Sequence, residues 1–433
     1  MLQRREEERK SNSNSLEGKV VYVPRMGCGS ARLFCAAFQS IGINAKPSPE
    51  SDEKTIELGG KYLSGDECYP QRITLGDFLK VIEAKDFDPK KTAFFMPTAD
   101  GPCRFGQYAP LMKNILKSHG LDEVEIVSPT SENAYGGLGK GTNFVRTAWR
   151  AIVCADILRK MLLKTRPYEI KKGETDKVYE DGLKKIYKII SENGKGESEH
   201  LKDMVDELIN IRQNFRKIAV KYNKNRLLIG IVGEIFCRLN NFSNDDLIRK
   251  IEDHGGEAWL SDISEWVWYT NDEHERKLIL AGKHFSFSML GTKLKHFFQR
   301  HDEHRLFFPF KEDFKGYEEP KHIREVLNDS FPYLPYTGSL GEMVLSVGKA
   351  VYLHGKGADG IIDISPFTCM NGIISEAVYP RVSEDFDSLP IRNFYFDGTL
   401  QDLDRDLGIF MELAKGYKAR KKIKRNYPRY FKS

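Results

Sequence analysis

The stretch RLLIGIVGE, residues 226–234, decides the fold of the second half of this chain. Its apolar run is of strand length, and an uninterrupted apolar strand is typical of a parallel sheet that is covered on both faces. The helical pattern Leu247–His254 follows it and ends at Gly255. Strand followed by helix is the repeating unit of an α/β sheet, so the sequence predicts an α/β domain that begins here.

The same alternation continues in both directions from this stretch. Later strands are predicted at Gly360–Ile364 and Ile391–Phe396, with the helical Gly372–Val378 between them. Towards the N-terminus the sequence predicts strands at residues 19–23, 92–96 and 123–127, and helices at residues 31–38 and 73–84. The alternation predicts a doubly wound parallel sheet in that half too, so the two halves are expected to repeat one architecture.

Between these halves, residues 179–222 show one long helical stripe and no strand pattern. We therefore predict five segments: a disordered tail at 1–17, a first α/β domain at 18–165, a helical connecting segment at 166–224, a second α/β domain at 225–415 and a basic tail at 416–433. The basic tail fits either a solvated helix end or a docking site for an acidic or phosphate-bearing ligand. Residues 284–317, rich in Phe, His, Lys and Arg, are left unassigned.

Composition excludes several classes of protein. The 67 basic and 62 acidic residues nearly balance, which gives no general attraction to nucleic acid. No run reaches the roughly 18 apolar residues that a membrane span needs, and no secretory signal is present, so we expect a cytoplasmic protein that does not enter a membrane. Without export, the seven cysteines favour metal or redox chemistry over disulfides.

Three cysteines share one local pattern: Cys68, Cys103 and Cys369 each follow a strand-like or glycine-flanked segment and precede residues that open a helix. Thiols at the carboxyl ends of strands and at helix N-termini point into the crevice where α/β proteins bind ligands, and the helix end stabilises the thiolate. The spacing matches no CxxC pattern of ferredoxins or zinc sites. From the residues alone, one shared site and three buried structural thiols both remain open.

The remaining candidates carry alternatives of their own. Cys28, in the loop after the first strand, is a candidate fourth ligand, whereas Cys35, Cys154 and Cys237 lie among apolar neighbours and are assigned to packing. Candidate polar residues are Arg104, which would offset an anionic centre, and Glu67 and Glu234, which would move a proton near a substrate. A surface or helix-capping role is the alternative for each of the three.

Five strings of this sequence resemble one known family. They are SGDECYP (64–70), ADGPCRFGQY (99–108), VGEIF (232–236), LNNFSND (239–245) and SPFTCMNG (365–372). They look like the dehydratase-like segment of the long-form 2-hydroxyacyl-CoA dehydratase activases, a segment related to the catalytic subunits of 2-hydroxyacyl-CoA dehydratases. The resemblance runs from about Lys19 to Ala414.

The resemblance implies two Rossmann-like domains with parallel sheets, an interdomain helical segment and a [4Fe–4S] cluster in the cleft between the domains. It places the ligands at Cys68, Cys103 and Cys369 and leaves one iron without a thiolate, able to bind water or a substrate oxygen. It also implies an anaerobic setting, in which ATP hydrolysis drives one low-potential electron into a cluster-bound thioester to expel a hydroxyl group. A double-cubane cluster, which needs more thiolates than three, is the alternative, with Cys28 among its ligands.

Two features depart from the family pattern. Asn371 stands where proline is expected, which questions the rigidity of that loop. Nothing resembles the actin-like ATPase domain, so the ATP-hydrolysing activase or electron donor would be a separate protein.

Three hypotheses follow from the sequence. The first is an iron–sulfur enzyme or enzyme component acting on a small molecule such as a CoA thioester. The second is a non-catalytic [4Fe–4S] electron relay or cluster carrier. The third is a protein without a cluster that binds a small ligand between two α/β domains.

Overall fold

The computed structural model describes residues 16–99, 101–130, 142–337, 341–399 and 402–427. The predicted disordered tail falls almost wholly outside these ranges, as do the last six residues of the predicted basic tail. The chain divides into two compact units. The first unit comprises residues 1–155, 183–207 and 270–306, and the second comprises residues 156–182, 208–269 and 307–433. The domain boundaries predicted above stay predictions.

The first unit contains a four-stranded parallel sheet in the order β2-β1-β3-β4. Its strands are β1 (Val20–Val23), β2 (Asn44–Pro47), β3 (Thr92–Phe95) and β4 (Glu125–Val127). Val21 is fixed in register between Ala45 and Ala93. All four residues of β3 are buried, which explains its uninterrupted apolar sequence.

The second unit contains a sheet of the same kind, in the order β6-β5-β7-β8 and again fully parallel. Its strands are β5 (Leu227–Gly233), β6 (Gly256–Leu260), β7 (Gly360–Pro366) and β8 (Ile391–Phe396). Every residue of β5, β6 and β7 is buried. Because both orders place the unit's earliest strand between its second and third, the predicted repeat of architecture is confirmed.

Helices occupy most of the remaining described chain. In chain order they are α1 (Cys28–Gln39), α2 (Glu53–Gly60), α3 (Tyr69–Ile82), α4 (Tyr108–Ser118), α5 (Thr142–Thr165), α6 (Glu174–Ser191), α7 (Glu197–Lys217), α8 (Ile235–Leu239), α9 (Leu247–Asp253), α10 (Ile263–Leu280), α11 (Phe287–Phe307), α12 (Ile323–Ser330), α13 (Met343–Gly355), α14 (Met370–Asp385) and α15 (Leu403–Arg420). The protein is therefore an α/β protein with two parallel sheets of Rossmann-like character and helices between the strands.

Some sequence-based expectations need correction or completion. Cys68 does not follow a strand: it follows α2 and a polar loop, KYLSGDE, whose charged and glycine residues disfavour a strand. Helix α15 continues to Arg420, so the predicted basic tail begins inside a helix. The unassigned residues 284–317 form α11 and a short 3₁₀ turn at Phe308–Phe310.

In the described ranges, every helix falls short of the combination of length and apolarity that a bilayer crossing demands.

Candidate functional site

The three predicted cysteines occupy the same structural position. Cys68 immediately precedes α3, Cys369 immediately precedes α14, and Cys103 precedes a 3₁₀ turn, Arg104–Gln107, that leads into α4. Their backbone angles are nearly identical, with φ of −67°, −68° and −68° and ψ of 136°, 131° and 124° for Cys68, Cys103 and Cys369. The prediction that a helix opens after the cysteine is confirmed at Cys68 and Cys369, where the helix end favours the thiolate. After Cys103 the chain forms the 3₁₀ turn first.

In the first unit, the loops that carry Cys68 and Cys103 are in direct contact. The guanidinium Nη1 of Arg104 donates a hydrogen bond of 2.6 Å to the backbone carbonyl of Asp66. Gly106 lies so close to Ala99 that a Cβ atom there would stand 2.7 Å from the Ala99 carbonyl oxygen. Arg104 thus holds the two cysteine loops together, and Gly106 lets the second loop close.

Glu67 stabilises the turn before Cys68. Its carboxylate accepts hydrogen bonds from the Gly65 backbone N–H at 3.0 Å and from the Ser64 hydroxyl at 3.1 Å. Partial burial raises the pKa of the Glu67 carboxyl, but these hydrogen bonds outweigh burial and leave the pKa below its usual value. Glu67 is therefore an ionised acceptor near neutral pH and does not hold a proton to donate.

In the second unit, Cys369 lies in a strained turn after β7. The preceding Thr368 has a φ of +63°, a conformation that β-branched residues rarely adopt. Burial raises the pKa of the Cys369 thiol to about 12, and the nearby Glu234 adds to this, whereas backbone hydrogen bonds from Gly372 and Asn371 act in the opposite direction. The N–H of Asn371 thus serves the sulfur, which the proline expected at this position could not do.

Glu234 follows β5 and caps α8. Its carboxylate accepts from the backbone N–H groups of Phe236 at 3.0 Å and Cys237 at 2.8 Å. The predicted alternative of a helix-capping role is thus realised in the structure. Enclosure by protein nevertheless raises the pKa of the Glu234 carboxyl despite these hydrogen bonds.

A second carboxyl group, Glu342, lies next to Glu234. Glu342 is 6% exposed and accepts a hydrogen bond of 2.9 Å from the Ile235 backbone N–H. Burial and the neighbouring Glu234 hold the pKa of Glu342 well above its ordinary value. Ionising two enclosed and neighbouring carboxyl groups at the same time costs free energy, because their negative charges repel each other. The pair therefore retains a proton that a single exposed glutamate would lose.

Sequence reasoning did not find Glu342. It opens an apolar helix, and nothing in the string GEMVLSVG marks it as a partner of a residue more than a hundred positions earlier.

Two further groups complete this region of the second unit. Arg238 is 2% exposed, donates to the Gly233 carbonyl at 2.8 Å and lowers the pKa of both glutamates by its charge. Asp363, inside β7, accepts hydrogen bonds from Ser365, Ser375 and Tyr379. The buried arginine is thus the local counter-charge to three carboxyl groups.

The two units place their candidate residues at corresponding points of the two sheets. Cys103 follows β3 and Cys369 follows β7, each the third strand of its unit. Cys28 follows β1 and Glu234 follows β5, each the first strand of its unit. Cys28 is exposed, and Nη1 of Arg25 donates to its sulfur at 3.7 Å.

The other cysteines pack as predicted. Cys35, Cys154 and Cys237 each have no exposed surface. Burial raises the pKa of the Cys154 thiol to about 12, which keeps it protonated and inert.

Two small cavities lie elsewhere in the units. One, in the second unit, is lined by Lys160, Lys164, Trp259 and Asp262, and burial lowers the pKa of Lys164 there to about 7. The other, in the first unit, lies against Gln71 and Tyr108. Each has a volume of about 10 Å³, which is room for one water molecule and not for a substrate.

The donor chemistry of the three predicted ligands suits iron, because thiolates at helix ends are the ligands that iron–sulfur clusters use. Within the described ranges, no three His, Cys, Asp or Glu side chains gather as metal ligands. Cys68 and Cys103 belong to the first unit and Cys369 to the second. The convergence of the three thiols stays a prediction.

Neither a scan against models of known protein families nor a search of curated protein sequences finds a match to this chain.

Proposed function

We propose that this chain is an iron–sulfur protein that holds a [4Fe–4S] cluster on Cys68, Cys103 and Cys369. In this proposal it accepts low-potential electrons from a separate ATP-hydrolysing activase and reduces or dehydrates a small substrate, with CoA thioesters as the first class to test. The observation that supports it most is the shared position of the three thiols, each on an extended residue that immediately precedes a helix or a 3₁₀ turn, with nearly the same backbone angles.

Electrostatics at these thiols act in both directions. The helices that begin after Cys68 and Cys369 present the positive ends of their dipoles to these cysteines, which favours a thiolate, whereas burial and Glu234 raise the pKa of the Cys369 thiol to about 12. Backbone hydrogen bonds from Gly372 and Asn371 reach the sulfur of Cys369. Hydrogen bonds to cluster sulfurs are one of the means by which proteins tune such centres.

A bound cluster would supply one-electron chemistry at an iron that lacks a thiolate ligand. The chain's own contribution is to orient and to hold protons. In this proposal, the proton that Glu342 and Glu234 together retain near Cys369 would be transferred to a leaving hydroxyl group. Arg104 keeps the loops of Cys68 and Cys103 together.

The second candidate is a non-catalytic electron relay or cluster carrier that uses the same three cysteines. A relay needs no substrate pocket, whereas an enzyme does, so substrate binding separates the two candidates.

The decisive experiment is iron and sulfide analysis after anaerobic reconstitution. The full chain should bind about four irons and four sulfides, and Cys68→Ala, Cys103→Ala and Cys369→Ala should each lose most of both. Cys154→Ala, which removes a buried thiol outside the proposed site, is the matched control and should retain the wild-type content. A colourless, iron-free wild-type protein would reject the proposal.

Cys28→Ala separates the two kinds of cluster. An unchanged iron content is expected for a [4Fe–4S] cluster on three cysteines, whereas loss of iron would indicate a larger cluster that recruits Cys28. Addition of acyl-CoA thioesters to the reduced protein then separates enzyme from relay. A change in the cluster's electron paramagnetic resonance spectrum supports a substrate site, and no change across a panel of thioesters favours the relay.

A further inference from the structure

Helix α11 has a largely inverted amphipathic character. It buries two apolar residues, Met289 and Leu306, together with three polar ones, Thr292 at 8%, Gln299 at 6% and Asp302 at 0% exposure. It exposes an apolar stripe, which we define as Phe287, Leu290, Leu294 and Phe297, with exposures of 94%, 65%, 54% and 65%. A surface helix of a globular protein normally turns its apolar side inward.

This inversion is enforced by specific bonds within the first unit. Asp302 accepts hydrogen bonds from the guanidinium Nε atoms of Arg146 and Arg150, each at 2.7 Å. The indole N–H of Trp149 donates to the carbonyl of Gln299 at 2.9 Å. Rotating α11 to bury the apolar stripe would break a buried ion pair and take the Asp302 carboxylate away from Arg150, which has no exposed surface. The stripe is thus held in its outward orientation.

The spacing of the apolar stripe suits another helix. Its members are separated by three, four and three residues, which is the a/d pattern of a coiled coil. Gly291 lies on the exposed side between Leu290 and Leu294, and a Cβ atom added to it would have no neighbour within 4 Å. This glycine permits close approach of a partner, so the stripe presents ridges and a groove to a second helix.

The exposed area also matches a stable interface. Phe285, 104% exposed, extends the apolar stripe at its start. At about 200 Å² for a large exposed apolar side chain, the five residues offer roughly 700 Å². That exceeds the ~300–600 Å² of the largest patch on a typical monomer and approaches the ~800 Å² that each partner contributes to a standard interface.

We propose that the apolar stripe is the interface between two copies of this chain, with the two α11 helices antiparallel about a two-fold axis at Leu294. In this register Leu290 of each copy packs against Phe297 of the other, and Phe287 packs against His301. A two-fold interface must be self-complementary, and the stripe is, because it has apolar residues on both sides of Leu294.

The charges nearest the two-fold axis are held within each chain. Lys293 forms an ion pair of 2.8 Å with Glu275, and Nζ of Lys295 donates a hydrogen bond of 3.1 Å to Oδ1 of Asn271. These intrachain contacts reduce repulsion between the two copies at the axis.

The test is the mass of the full chain in solution, measured by sedimentation equilibrium over a dilution series. The wild-type protein should have the mass of two 49.7 kDa chains, and Leu294→Glu should weaken association at least 100-fold, because it buries two unpaired carboxylates at the axis. Leu413→Glu, at a 59% exposed leucine on α15, is the matched control and should leave the dimer intact. Circular dichroism establishes that each variant is folded.

A wild-type monomer, or a Leu294→Glu variant that remains dimeric, would overturn the proposal. So would a monomeric wild-type chain that binds phosphatidylserine-containing vesicles through this stripe, because that result assigns the apolar surface to a membrane.

Discussion

The two sheets have the same strand order but hold different chemistry at corresponding strand ends. In the first unit, β1 is followed by Cys28 and β3 by Cys103. In the second unit, β5 is followed by Glu234, paired with Glu342, and β7 by Cys369. One architecture thus presents thiols in one unit and a thiol with two carboxyl groups in the other. The fold determines where side chains gather, and the residue at each position determines what they can do.

The largest expected effect concerns the end of strand β5 in the second unit. Gly233, the last residue of β5, has a φ of +109°, and a Cβ atom there would lie 2.2 Å from the Ile364 carbonyl oxygen. Gly233→Ala should therefore lower the free energy of unfolding by about 3 kcal/mol or more, as measured by urea denaturation. The corresponding strand β1 ends in Val23, which already carries a side chain, so the end of β1 does not require a glycine.

Gly416→Ala is the control for this substitution. Gly416 lies in α15 with nothing within 4 Å of the added Cβ, so alanine should stabilise the helix by up to about 1 kcal/mol. If Gly233→Ala lowers the free energy of unfolding by less than about 1 kcal/mol, the end of β5 tolerates a side chain as well as the end of β1 does.

The next prediction uses the opposite pKa shifts of two glutamates. Glu342 has a raised pKa in the folded chain, so between its unfolded pKa and its folded pKa the folded state binds more protons than the unfolded state. The free energy of unfolding therefore falls as pH rises through this window. Glu342→Gln removes this loss, so its stability relative to wild type should increase as pH rises above the unfolded pKa, by an amount on the order of 1 kcal/mol.

Glu67→Gln in the first unit should behave in the opposite sense. The pKa of Glu67 is lowered, so its contribution to stability is present above the unfolded pKa and is lost as pH falls through the folded pKa. Glu67→Gln should thus be destabilised near neutral pH and approach wild type in acid. Urea denaturation of both variants at several pH values measures the two slopes, and slopes of the same sign would contradict the contrast between the units.

The sequence predicted six of the eight described strands from runs of β-branched and aromatic residues. Of these, β5 and β3 are buried throughout and almost wholly apolar, β7 is buried throughout although it contains Asp363 and Ser365, and β1, β4 and β8 are only partly buried. Two strands had no such signal: β2 is NAKP, an edge strand with exposed residues, and β6 is GEAWL, which buries a glutamate. Pairing with neighbouring strands, rather than local propensity, makes these segments extended.

Helix α11 was not predicted for a related reason. Most of its large apolar residues face solvent, whereas Thr292, Gln299 and Asp302 are buried beside Met289 and Leu306, so its pattern does not indicate a core-facing helix. The candidate site divides in the same way. Each cysteine could be found because a turn and a helix start are local features. The pairing of Glu342 with Glu234 could not be found in this way, because it depends on packing between distant segments of the chain. The hydrogen bond that joins these segments, from the Ile235 N–H to Glu342, spans 107 positions.

The smallest expected effect concerns the residue two positions after a cysteine. In the first unit that residue is Pro70, following Cys68, and in the second unit it is Asn371, following Cys369. Asn371→Pro makes the second site resemble the first. Because proline is tolerated in the first turn of a helix, the free energy of unfolding should change by no more than about 0.5 kcal/mol.

Asn371→Pro removes the backbone N–H of residue 371. Without the hydrogen bond from residue 371, the sulfur of Cys369 loses a donor that lowers its pKa, so reconstituted Asn371→Pro should release iron to a chelator about fivefold faster than wild type. Asn371→Ala keeps the backbone N–H and should release iron at the wild-type rate. If the proline and alanine variants release iron at the same rate, the backbone N–H of residue 371 is dispensable. Cys369 would then hold iron without this hydrogen bond, as Cys68 does beside Pro70.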